Sequence, residues 1–187
     1  MTSFRRDGDV TEVGFAPEER SVLASLAASL AEMLEPEDAA GGAEPDAEPD
    51  PLVALVGFGT DSGPVGRPDD PALRRLLPDA YDDAEGAAEF RRLTDGELRA
   101  AKVANLRRIA DGAAAPDGVV RIGPDEIDGW LAGLTDIRLV LGERLDVTEE
   151  REHLEDLDDA DPRLPLLAAY DWLSELQDVL VQILMAD

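Results

Sequence analysis

Apolar side chains recur at helical spacing in several long stretches of this chain and gather into short runs between them. Leu23, Leu26, Leu30 and Met33/Leu34 follow Pro17-Glu18-Glu19, whose fixed φ and acidic first turn suit the start of a helix. That helix should end before Pro36. Trp130, Leu134, Ile137, Leu141 and Leu145 form a second stripe, launched by Gly123-Pro124-Asp125-Glu126. Gly129, Gly133 and Gly142 interrupt it, each costing roughly 1 kcal/mol relative to alanine, which is tolerable if another helix must approach closely. From Leu166 to Met185 apolar residues cover most of the circumference: Leu166, Tyr170, Leu173, Leu180 and Leu184, with Leu176, Val179 and Ile183 nearby. So wide a face predicts a central helix touched on several sides, or one that shares its surface with a second subunit in a homodimer.

The shorter patterns are of other kinds. Phe4-Arg5-Arg6 and Val10 to Phe15 flank Asp7-Gly8, a hairpin signal, and Val119 to Ile122 could add a strand to that hairpin. Asp70-Pro71 starts a short helix, ALRRLL, with aspartate as the cap, and Pro78 stops it. A longer helical region spans Ala87 to Ala113, with an expected break at Thr94-Asp95-Gly96, where Thr94 and Glu97 have the spacing of a capping box. The run Pro51 to Phe58 fits either a strand or a helix. The pattern therefore predicts a mainly α fold: an irregular bundle of five or six helices with a small antiparallel sheet.

Composition adds boundaries to this picture. The length of 187 residues suits a single domain, 1–187, and 44% apolar content can furnish a core although aromatics are only 4%. Residues 35–50, EPEDAAGGAEPDAEPD, hold seven acids, three prolines and no base, so they predict a disordered acidic insertion. An acidic loop is expected over 149–162. No uncharged stretch approaches the roughly 20 residues of a membrane span, and MTSFRRDGDV lacks the apolar core of a signal peptide, so the expected location is the cytoplasm. The absence of cysteine excludes disulfides, thiolate metal sites and thiol redox sensing.

The net charge of −26 weighs against nucleic acid as a partner, because phosphate neutralisation needs lysine and arginine. The one region with a basic excess is Ala87 to Ala113, where Arg91, Arg92, Arg99, Lys102, Arg107 and Arg108 outnumber Glu89, Asp95 and Glu97. Two helices around residues 94–96 would loosely fit a helix-turn-helix. At about 100° per residue, however, Arg99 and Lys102 share an arc with Val103 and Leu106 while Arg107 and Arg108 point elsewhere, which a recognition helix should not do. A candidate contact patch consists of Arg74, Arg75, Arg91, Arg92, Arg99 and Lys102. Arg138, between Ile137 and Leu139, should be a partly buried ion-pair member, with Asp171 or Glu175 of the last helix or with Asp136; anion binding is the alternative.

Catalytic and cofactor patterns are incomplete. LVALVGFGTDSG places Gly57 and Gly59 like a dinucleotide turn, but Ser62 stands where the third glycine belongs and Pro64 follows where a helix should begin. An EF-hand read from Asp156 lacks both the glycine and the closing glutamate, so Asp156, Asp158, Asp159 and Asp161 are expected to be a solvated loop. His153 is the only histidine and could serve no serine in a GxSxG elbow, because the chain has none. No metal and no cofactor is expected, and no catalytic residue stands out.

Three segments carry a family resemblance: DPALRRLLPDAY at residues 70–81, WLxxLTDIRLxLGxxL at 130–145, and YxWLxxLQxxLVxxLM at 170–185. Together they resemble an actinobacterial family of unassigned function that includes AosR-like oxidative-stress transcription regulators and whose genes often neighbour that of the ClpS protease adaptor. The resemblance spans most of the chain apart from the acidic insertion and the loop from Arg151 to Arg163. It implies a cytoplasmic regulator that acts through nucleic acid, the transcription machinery or both. The acidity of the chain and its lack of a catalytic pattern favour a non-enzymatic protein that contacts the transcription machinery through a partner with a basic surface. The alternatives are direct DNA binding, or a small-molecule-binding or enzymatic helical domain with a carboxylate site. Any thiol switch among relatives is impossible in this cysteine-free chain.

Overall fold

The computed structural model describes residues 2–35, 68–148, 157–158 and 160–185. Strands β1 (Ser3–Asp7), β2 (Val10–Gly14) and β3 (Val119–Ile122) form one antiparallel sheet in the order β1-β2-β3. The hairpin signal is realised with a small shift: Asp7 pairs with Val10, so Gly8 and Asp9 are the loop. Gly8 has φ +61°, the positive value a two-residue type II′ loop asks of its first position. Val13 lies opposite Val120 and Thr11 opposite Ile122, and alternation turns all four toward the core.

Five helices occupy the rest of the described chain: α1 (Pro17–Leu34), α2 (Pro71–Leu76), α3 (Ala84–Ala113), α4 (Ile127–Arg144) and α5 (Leu164–Met185). The fold is mainly α with a small sheet, as the periodicity implies. Helix α1 starts at Pro17, where the Glu19 carboxylate accepts the Ala16 N–H at 2.8 Å. Its buried face is Leu23, Leu26, Ala27, Leu30, Ala31 and Leu34. Helix α2 is capped by Asp70, whose Oδ1 accepts the Ala72 N–H at 2.8 Å.

The centre of the bundle is α4, against which α1, α2, α3 and α5 all pack. Its whole predicted stripe, Trp130, Leu134, Ile137, Leu141 and Leu145, is buried. The glycines explain how α3 comes so near: a Cβ on Gly133 would lie 2.5 Å from Ile109 Cδ1, and one on Gly129 would lie 2.9 Å from Asn105 Oδ1. Gly142 meets only ordinary contact with Tyr170.

Two expectations are corrected. Helix α5 is lateral, not central: it packs chiefly on α4, with Trp172 reaching Phe15 and the Thr2 hydroxyl, while Val181, Leu184 and Met185 stay exposed. Helix α3 runs unbroken through Thr94-Asp95-Gly96. Thr94 donates to the Phe90 carbonyl four residues back at 2.9 Å, so it serves the helix interior and caps nothing. The Asp83 side chain caps the real start by accepting the Gly86 N–H at 2.7 Å.

The predicted insertion 35–50 lies outside the described residues except Glu35, which accepts from Arg107 at 2.9 Å. Of the acidic loop 149–162, residues 149–156 and 159 lie outside them; Leu157 packs against the core and Asp161 pairs with Arg163 at 2.9 Å. Pro51 to Phe58, the glycine turn at 57–63, Asp156 and His153 also lie outside. No described helix is long and apolar enough to cross a membrane.

Candidate functional site

Basic side chains on α2 and α3 were the leading candidates for a contact patch, and the structure gives each a partner within the chain. Arg74 donates to the carbonyls of Pro68 at 3.3 Å and Asp69 at 2.9 Å. Arg75 bridges to Glu143 on α4 at 3.0 Å. On α3, Arg91 pairs with Asp79, Arg92 with Glu89 at 2.6 Å, and Arg99 with Asp95 at 3.0 Å. Lys102 donates to Asp136 on α4 at 2.6 Å. Arg107 and Arg108 follow suit with Glu35 and, at 3.8 Å, Glu126. These groups do not converge: apart from Arg74, held by backbone carbonyls, they neutralise neighbouring acids one by one.

The Lys102–Asp136 pair is the most enclosed of these contacts. Asp136 and Thr11 are the buried polar residues among those described. Burial pushes the Asp136 carboxyl above its ordinary range, against the hydrogen bond and charge of Lys102. A second pair locks α2 to α4: Arg144 donates to both oxygens of Asp70, at 2.9 and 2.6 Å, while Asp70 also caps α2. Burial alone would raise the Asp70 carboxyl, but the bonds from Arg144 and the Ala72 N–H outweigh it and hold the group low. This double duty accounts for an aspartate at the head of the DPALRRLL segment.

Arg138 takes different partners from those expected. It donates to Gln177 Oε1 at 2.7 Å and lies over the Tyr170 ring, 5.3 Å from its centroid; Asp171 and Glu175 are not its partners, and Asp136 is held by Lys102. Gln177 in turn donates to Thr135 at 2.7 Å, joining α4 and α5 through neutral groups. An amide and an aromatic face hold the guanidinium without burying a second charge. The Arg138 Nε remains buried and unpaired.

An open cleft of about 600 Å³ is lined by Arg107, Arg108, Arg121, Glu126, Gly112 and Trp130. Its charges are of mixed sign and already paired, Arg121 with Asp117 at 2.8 Å and Glu12 at 3.3 Å. Among the described residues no group of three potential ligands could hold a metal ion. Ser174 donates to the Tyr170 carbonyl, a helix-internal bond.

A feature that periodicity did not reveal is the outer half of α3. Tyr81, Phe90, Leu93 and Leu98 are exposed, and the Tyr81 and Phe90 rings meet edge to face at 5.9 Å. The available signal was phase: Phe90 and Leu93 do not continue the stripe of Leu106 and Ile109.

The chain belongs to the DUF2017 family, a domain of unknown function, whose profile matches residues 1–184. Among curated proteins it is similar to the oxidative stress regulator AosR of Mycobacterium tuberculosis H37Rv, 30% identical over 194 residues that cover 96% of this chain and 84% of the relative. The AosR of Mycobacterium bovis shows the same identity and coverage. No solved structure shows significant similarity to the chain.

Proposed function

We propose that this protein is a non-enzymatic, cytoplasmic regulator of the response to oxidative stress that acts by contact with proteins of the transcription machinery. Its relatives' name supports the regulatory part of the reading. The mode of action rests on one observation: each of the six basic side chains of α3 already has a carboxylate of the same chain within salt-bridge distance. A helix that binds duplex DNA must offer its cations to phosphate, and here they would first have to be released from their partners. With a net charge of −26, long-range repulsion adds to that cost. The absence of cysteine rules out a thiol of this chain as the oxidant sensor.

The test is a pull-down of purified RNA polymerase holoenzyme across a salt series, beside a gel shift with duplex operator fragments. Retention of polymerase without a sequence-selective shift is expected. A salt-sensitive shift that distinguishes operator from random duplex would replace this reading with direct DNA binding. Turnover of a metabolite, abolished by exchanging a single acid, would replace it with catalysis.

A further inference from the structure

Helix α3 is oriented normally in its second half and inverted in its first. At about 100° per residue, Leu106, Ile109, Ala110 and Ala113 share one arc, and that arc faces the core. Extended toward the N-terminus, the same arc carries Lys102, Arg99, Asp95 and Arg91. These are the half-buried ions of the helix, with side chains 17, 18, 16 and 13% exposed. Phe90 and Leu93 fall on the other side, each about 150° from the middle of that arc by the same count, and Leu93 is 68% exposed. Ion pairs thus face the protein while leucine and phenylalanine face solvent. Among the described residues, no need of the core explains that arrangement, since burial stabilises apolar groups and penalises ions.

Charge says what should cover the apolar arc. From Asp79 to Arg99 seven carboxylates stand against three arginines, and the arginines are spent on Asp79, Glu89 and Asp95. Glu97 lies within the arc, and Asp82, Asp83 and Glu85 lie at its N-terminal end. A second copy of this chain would set these acids against their own duplicates, and duplex DNA offers neither apolar surface nor positive charge.

We propose that the outward face of α3 around Phe90 and Leu93 is a docking surface for a basic amphipathic helix of another protein. Its apolar stripe would lie along Leu93, Phe90 and the Tyr81 ring beside it, and its lysines or arginines would meet Glu97 and the acids of the first turn. This deepens the protein-contact reading above and rests on it only for the identity of the partner, not for the surface.

The probe is a fluorescent 18-residue leucine–lysine peptide of amphipathic design, titrated into the full chain with anisotropy as the readout. Leu93→Asp should weaken binding at least tenfold with an unchanged melting temperature. Glu97→Lys should weaken it several-fold and flatten its salt dependence, whereas Val181→Asp, on α5, should leave it unchanged. A lysine peptide lacking leucine should bind wild type and Leu93→Asp equally weakly. Equal affinity of the amphipathic peptide for wild type and Leu93→Asp overturns the proposal. So does a wild-type dimer in sedimentation that Leu93→Asp dissociates, which would make the occupant a second copy. Peptide binding lost in Leu93→Asp while polymerase is retained by neither protein would leave the surface standing and remove the proposed regulatory partner.

Discussion

The two halves of α3 show how differently one continuous helix can be held. The inner half, from Val103 to Ala113, is fixed by burial: Leu106 and Ile109 are fully enclosed, and Ile109 fills the space that Gly133 leaves open on α4. The outer half has only Ala87 buried. It is held by local devices, the Asp83 cap and the short-range pairs Glu89–Arg92 and Asp95–Arg99, each worth only tenths of a kcal/mol to about 1 kcal/mol. Tertiary packing thus stabilises one half, and sequence-local chemistry sustains the other.

The largest effect should come from attacking the inner half. Leu106→Ala should lower stability by about 2–5 kcal/mol in urea denaturation, because the surrounding core cannot fully collapse into the cavity. Lys102→Met strikes the boundary between the halves and leaves the Asp136 carboxylate buried without its cation, at a cost of about 3 kcal/mol near neutral pH. The sign with pH is distinctive. A carboxyl whose folded pKa is raised favours the folded state when protonated, so the penalty holds above that pKa and eases as pH falls toward it. The gap between wild type and Lys102→Met should therefore narrow as pH falls from neutral toward the raised pKa of Asp136.

Asp70→Ala should cost roughly 2 kcal/mol, combining a lost helix cap with a broken bidentate pair. Asp70 has a lowered folded pKa, so its contribution is present above the ordinary carboxylate range and lost as pH falls through the folded value. The difference between wild type and Asp70→Ala should then disappear in acid, as thermal melts across pH would reveal. Least of all, Leu93→Ala should change stability by no more than about 0.5 kcal/mol, since the side chain touches little that unfolding would expose. A cost comparable to Leu106→Ala would dissolve the contrast between the halves.

Much of the fold was legible because local rules and packing agree. The spacing of Leu23, Leu26 and Leu30 and of Trp130 through Leu145 shows directly which faces are buried, and the Asp-Pro signal at residue 70 marks a real cap. Where they disagree, reading failed. Gly96 looked like a break, yet a single exposed glycine costs roughly 1 kcal/mol, less than interrupting thirty residues of helix, and a Cβ there would meet open space. The apolar circumference of α5 suggested a central helix, but the glycines of α4 draw α3 close and make α4 the hub.

The candidate site was harder to read for a related reason. Arg91, Arg92, Arg99 and Lys102 are visible as a cluster of charge in the sequence, but their partners are not. Asp136 lies 34 positions beyond Lys102, and Gln177 lies 39 beyond Arg138. Only the fold brings such residues together, and it turns the expected cationic patch into a set of closed pairs. The family segments carry the same lesson: Leu73, Leu76, Trp130, Leu134, Leu173 and Leu180 are core residues, so they identify a scaffold more readily than a chemistry.

A straight α-helix rises 1.5 Å per residue, which sets Ala84 about 27 Å along the axis from Lys102. The outer half of α3 is in this respect a lever arm whose fulcrum is the Lys102–Asp136 contact. Beyond that contact the arm is braced by the Arg91–Asp79 pair, so the two ion pairs set where the projecting half of the helix points.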